Sequence, residues 1–98
     1  MHRHTVLFNL NDDLDDAKRD EVISTLRSLG ALPTVNSMIL EKNLVPVGDM
    51  APYEYVLIGD FDDQDARDAY EKHDTHVQVI RETFLPNVKN FAIGDVNF

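Results

Sequence analysis

The sequence has no cysteine. A disulfide framework, thiol catalysis and a thiolate metal site are therefore excluded, and the chain fits a reducing, cytoplasmic setting. Glycine occurs only 4 times and is scattered, so no Gly-rich loop is available to cradle a phosphate. Positive charge is scarce: 9 Lys and Arg face 18 Asp and Glu, for a net charge of -9. This argues against nucleic acid, which needs clustered Lys and Arg to release counterions. It argues against an anionic membrane surface for the same electrostatic reason. No apolar run approaches the roughly 18 residues of a membrane span. The opening segment Met1–Phe8 meets Asn9 too soon for the apolar stretch of a secretory signal. Internal repeats and low-complexity tracts are also missing.

What is present describes one folded domain over residues 1–98, since 43% hydrophobic content is too high for a disordered acidic chain. Thr5–Leu10 reads as a strand, with Val6, Phe8 and Leu10 on one face and Thr5, Leu7 and Asn9 on the other. Asn11-Asp12-Asp13 signals a helix start, and acidic residues in the first turn suit the helix dipole. That helix runs from about Leu14 to Leu29, with Val22, Ile23, Leu26 and Leu29 as its apolar stripe. Gly30 suits its end and Pro33 prevents its resumption. Val35–Leu44 reads as a second strand, Asn43–Pro52 as the longest loop and Tyr53–Phe61 as a third strand. A second helix spans Gln64–Lys72 behind an acidic cap. Asp74 is the expected N-cap of a third helix, Thr75–Leu85, stopped by Pro86. Val88–Phe98 reads as the last strand.

The order is βαββα(α)β, an α+β ferredoxin-like pattern with a four-stranded antiparallel sheet carrying its helices on one face. The strands Val6-Leu7-Phe8, Tyr55-Val56-Leu57-Ile58 and Phe91-Ala92-Ile93 are apolar on both parities. A half-solvated sheet alternates instead. The face without helices therefore needs cover, because at roughly 25 cal/mol per Å² wet Leu, Ile and Phe side chains forfeit many kcal/mol. A homodimer with its two sheets face to face is the economical solution. The loop Asn43–Pro52, with apolar Val45, Val47 and Met50, reads as an arm clasping the partner or as a lid.

Several stretches together resemble the stress-responsive dimeric α/β-barrel (Dabb) family. They are His4-Thr5-Val6-Leu7-Phe8, Asn43-Leu44 after the second strand, Tyr70-x-x-His73-x-x-His76-Val77, and Asp95 in the last strand. The resemblance covers essentially the whole chain, and it implies a dimeric barrel of two ferredoxin-like subunits. One plant member, olivetolic acid cyclase, performs a cofactor-free aldol cyclisation. By the motif, its catalytic Tyr and His fall on Tyr70 and His76, its first-strand His on His4 and its last-strand Asp on Asp95. The chain departs from the family pattern in three places. It has Asp74 where Pro is usual, Tyr53-Glu54-Tyr55 where Tyr-x-His is common, and Glu41 where Gly is common.

His76, in the first turn of a helix, experiences a dipole that disfavours imidazolium. A neutral imidazole can serve as general base near pH 7. Asp95 is expected to orient His76 through its other ring nitrogen, and Tyr70 to donate to a ligand oxygen. In the plainer reading, His76 and Tyr70 only cap and pack a helix corner. His4 shares a face with Val6 and Phe8, which suits a ligand contact or a satisfied core histidine. Tyr55, His73 and Phe8 complete the expected binding surface.

Neither a metal nor a cofactor is expected. His2-x-His4 and His73-x-x-His76 invite a metal reading, but His2 lies near an end prone to fray and a helix break separates the second pair. The leading functional expectation is binding of an apolar or aromatic small molecule between sheet and helices, with cyclase- or isomerase-like acid–base chemistry. The alternatives are a non-enzymatic, stress-protective dimer and a cofactor-independent monooxygenase acting on aromatic substrates.

Overall fold

A computed structural model describes residues 1–98. Strand β1 spans His2–Leu10 and helix α1 spans Asp16–Arg27, followed by a 3-10 turn over Ser28–Ala31. Strands β2 (Ser37–Lys42) and β3 (Tyr55–Phe61) come next. Helix α2 is Gln64–Lys72 and α3 is Asp74–Val79, continued by a wide π turn over Ile80–Phe84 into a last turn, α4 (Leu85–Asn87). Strand β4 (Val88–Asn97) closes the chain. The four strands form one sheet in the order β2-β3-β1-β4, with every pairing antiparallel. This is the ferredoxin-like α+β architecture expected from the sequence.

Among the boundaries that differ from the sequence expectation, four have a clear local reason. Strand β1 begins at His2 rather than Thr5, because it pairs on both sides, with Phe61 and with Asn97, out to its first residue. His2 is consequently buried and does not fray. Helix α1 is capped by Asp15, whose side chain accepts from the Lys18 N–H at 2.8 Å, and not by Asn11, Asp12 or Asp13. Helix α3 is capped by His73 rather than Asp74: His73 is extended, breaking the helix after Lys72, and its Nδ1 accepts from the Thr75 N–H at 3.1 Å. Pro86 does not stop the chain's helical path, which runs on to Asn87. After the wide turn Pro86 sits in a first turn, where its missing N–H is tolerated. The Asn87 side chain then donates to the Thr83 carbonyl at 2.8 Å.

Strand alternation decides the two faces. Val6, Phe8 and Leu10 of β1, with Leu40, Tyr55, Leu57 and Phe61, pack against the stripe Val22, Ile23, Leu26 and Leu29, and against Tyr70 and Phe84. Burying each of these large apolar side chains contributes about 1.5–3 kcal/mol. The opposite face carries Leu7, Val56, Ile58 and Ala92, partly exposed, and Ile39, exposed. Register places Leu7 between Val56 and Ala92, and Ile39 beside Ile58, so these residues form one apolar patch. No helix of the chain lies on it.

Candidate functional site

Between the helices and strands β1 and β4 lies a cavity of about 210 Å³, lined mainly by apolar side chains including Val6, Phe8, Leu26, Phe84, Phe91 and Ile93. Its polar lining is His4 from β1, Arg67, Tyr70 and Glu71 from α2, and His76 from α3. Phe8, Phe84 and Phe91 stack edge to face along one wall, with centroids 5.7 and 5.2 Å apart, and leave the space open.

Tyr70 and His76 are neighbours across the helix break, with ring centroids 4.5 Å apart. The backbone turn at His73 folds α3 back beside α2 and brings them together. His76 Nδ1 lies 3.0 Å from the Glu71 carbonyl oxygen. A carbonyl only accepts, so Nδ1 carries the proton and Nε2 keeps its lone pair. Burial lowers the His76 pKa, outweighing the Glu71 hydrogen bond and charge, and keeps the ring neutral. Burial also raises the Tyr70 pKa, so the phenol holds its proton at neutral pH. The Tyr70 hydroxyl makes no hydrogen bond within the chain, His76 bonds through Nδ1 only, and both side chains line the cavity.

Asp95 does not orient His76. Its partners are two histidines on strand β1, because antiparallel register sets Asp95 opposite His4 and Asn97 opposite His2. Asp95 Oδ1 accepts from His4 Nδ1 at 2.7 Å and Oδ2 from His2 Nε2 at 2.8 Å. His2 Nδ1 in turn meets Asn97 Oδ1 at 2.6 Å. Partial burial pushes the Asp95 pKa up, but the hydrogen bonds from His2 and His4 and the nearby positive charges outweigh it and hold the carboxyl below its ordinary value. His2 is raised, first by its Asp95 hydrogen bond and then by Asn97.

Arg67 completes the cluster. Its Nε lies 3.0 Å from Asp95 Oδ2, but off the N–H direction, so the buried Nε–H has no acceptor. Its Nη1 pairs with Glu71 and lies 3.6 Å from Asp68.

Of the expected site residues, the structure brings His76, Tyr70, His4 and Phe8 to the cavity wall. Asp95 stands behind His4. Tyr55 does not line the cavity; it stacks on Phe8 at 5.3 Å and faces the α1 side instead. His73 is spent as the helix cap. Arg67, His2 and Asn97 were not anticipated. Their signal was spacing: Arg67 is three residues before Tyr70 on one helix, and His2 and Asn97 are two residues from His4 and Asp95 on their strands.

The sequence pattern of the stress-responsive A/B barrel domain matches residues 3–98. The chain belongs to this family. A stress-response A/B barrel domain-containing protein of Arabidopsis thaliana is 30% identical over 83 residues, 85% of this chain. The chain spans 31% of that relative's length. An A/B barrel (Dabb) family protein of ferredoxin-like fold from Mesorhizobium loti superposes with a TM-score of 0.88 at 26% identity, covering 99% of this chain and 95% of that one. A dimeric ferredoxin-like protein of unknown function from Thermobifida fusca superposes at 0.81 with 23% identity, covering 99% and 90%. At that identity the likeness shows the ferredoxin-like fold alone.

Proposed function

We propose that the protein is a homodimeric A/B barrel that binds an apolar or aromatic carbonyl compound in this cavity and moves a proton on it without a cofactor. One observation carries the reading. A neutral imidazole with a free Nε2 and a protonated phenol with a free hydroxyl, their ring centroids 4.5 Å apart, stand at the polar end of an apolar cavity. Burial pushes their pKa values in opposite directions, which is how one environment assigns a base and an acid. In the proposed step His76 Nε2 takes a proton from carbon next to the ligand's carbonyl. The C–H electron pair becomes the enolate, and the Tyr70 hydroxyl donates to its oxygen. The imidazolium then returns the proton to another carbon, or to the alkoxide formed when the enolate carbon closes a ring on a second carbonyl. Atoms and charge balance within the pair.

NMR titration with a single-ring aryl ketone tests the binding. The expected result is saturable shifts at Tyr70, His76, Phe84 and Phe91. Shifts confined to other surfaces contradict the site.

The open sheet face supports the dimer. Leu7, Val56, Ile58, Ile39 and Ala92 form a patch that a second copy covers with the same residues. The loop 43–52 adds Leu44 and Met50, 97% and 98% exposed, as arms for the partner. These features equally favour a second reading, a stable dimer with a protective rather than catalytic role. Absence of both ligand binding and proton exchange selects that reading.

A further inference from the structure

The proposed chemistry uses His76 and Tyr70, yet a hydrogen-bonded charge cluster lies one step away, at His4. His4 lines the cavity and spends only Nδ1, on Asp95. His2 does not line that cavity. It sits beyond Asp95, in a polar cleft shared with Gln64, Arg67, Asp68 and Asn97. Both of its ring nitrogens face acceptors, Asp95 Oδ2 at 2.8 Å and Asn97 Oδ1 at 2.6 Å. Neither acceptor oxygen has a proton to give, so the ring satisfies both only with two N–H groups, as imidazolium.

We propose that His2, clamped by Asn97, is a positioning residue that acts through Asp95 to hold the cavity-facing His4 neutral, with its Nε2 open as a second proton acceptor. The carboxylate is the shared element. It fixes the His4 tautomer by accepting from Nδ1, and alone it would also draw a second proton onto His4. The His2 cation on its other oxygen offsets that pull. Proton binding at His2 and His4 is therefore mutually opposed, and His4 becomes more basic when His2 loses its charge.

The other groups facing the pair do not replace His2. Phe61 of β3 offers His2 only a ring edge, with centroids 6.4 Å apart. Arg67 of α2 is a cation near both rings, but it is divided among Asp95, Asp68 and Glu71. Tyr70 faces His4 edge-on at 6.5 Å and is neutral, and His76 of α3 is held neutral by burial. Gly59 of β3, opposite His4, brings no side chain.

The functional meaning of this role rests on the proton-transfer reading of the cavity, but its test needs no substrate. Long-range 1H–15N NMR on the full chain, across pH, reads the protonation of both histidines directly. In the wild-type protein His2 is expected to carry protons on both nitrogens throughout the range in which His4 titrates. His2→Gln keeps a donor toward Asp95 and removes the charge, and the His4 midpoint is expected to rise by about one pH unit. His2→Arg has room in the polar cleft and keeps a cation on Asp95, so the midpoint stays within about 0.3 units of wild type. A neutral His2 in the wild-type protein overturns the proposal, and so do equal His4 shifts in the two variants or none in either. If His2→Gln does not fold, the wild-type spectrum and His2→Arg decide. A failed search for catalysis leaves these results standing, and a flat titration leaves His76 and Tyr70 untouched.

Discussion

Asp95 Oδ1 accepts a hydrogen bond from His4 Nδ1 at 2.7 Å, joining the last strand to the first directly behind the cavity wall. The bond has two consequences. It fixes which His4 nitrogen faces the cavity, and it anchors one end of a cluster in which His2, His4 and Arg67 converge on one carboxylate.

Replacing that carboxylate is therefore expected to be costly. Asp95→Asn leaves His2 and His4 without a charged acceptor while both remain buried. The loss is expected to be about 2–4 kcal/mol, read from the urea midpoint. A change below about 0.5 kcal/mol would show that the cluster contributes little.

The cluster also sets a pH dependence. The His2 pKa is raised above 6.5, first by the Asp95 hydrogen bond, so its stabilisation is complete below 6.5 and is lost as pH rises through the folded value. Burial opposes the Asp95 shift, but the histidine hydrogen bonds prevail and lower it below 3.8. Its stabilisation is complete above 3.8 and is lost as pH falls through the folded value. The stability gap between wild type and His2→Arg, in which His4 is unchanged, is thus largest below pH 6.5 and shrinks above it. His76, lowered by burial, has the opposite sign but is common to both proteins and cancels. Urea unfolding at several pH values checks this, and a gap that widens above pH 6.5 contradicts it.

Much of this was legible in the chain because strand and helix periods are strict. The alternation around Val6-Leu7-Phe8 and Tyr55-Val56-Leu57-Ile58 gave β1 and β3 and showed an open apolar face. The stripe Val22, Ile23, Leu26 and Leu29 gave the buried side of α1. Cap positions were less legible, because Asp13, Asp15 and Asp74 all suit an N-cap and only the local chain direction selects one. The partner of Asp95 was not legible. Which histidine it meets depends on the β1–β4 register, a long-range pairing that local sequence does not determine. The burial of His2 escaped for the same reason, since residues near a chain end are ordered only when another strand holds them.

Tyr70 offers a sharper separation of function from stability. Its hydroxyl makes no hydrogen bond within the chain, so Tyr70→Phe forfeits none. Stability is expected to stay within about 0.5 kcal/mol of wild type, or to rise. Affinity for an aryl ketone is expected to fall about tenfold by calorimetry. Destabilisation beyond about 1.5 kcal/mol would reveal a structural bond to that hydroxyl.

The open face makes its own prediction. Leu7 lies at the centre of the apolar patch, between Val56 and Ala92, and leaves the helix-side core untouched. Light scattering of the wild-type protein is expected to give twice the chain mass of 11.2 kDa, and Leu7→Arg the single mass. A wild-type protein that stays at the single mass at micromolar concentration contradicts the dimer.

The most direct test of proton transfer is deuterium uptake next to the carbonyl of a single-ring aryl ketone in D2O, followed by proton NMR. The wild-type protein is expected to accelerate exchange over buffer at the same pH. His76→Ala is expected to abolish the acceleration, about a hundredfold loss or more, while its melting temperature stays within a few degrees. Exchange at the buffer rate, or undiminished exchange in folded His76→Ala, would contradict the central claim that His76 is the base of this cavity.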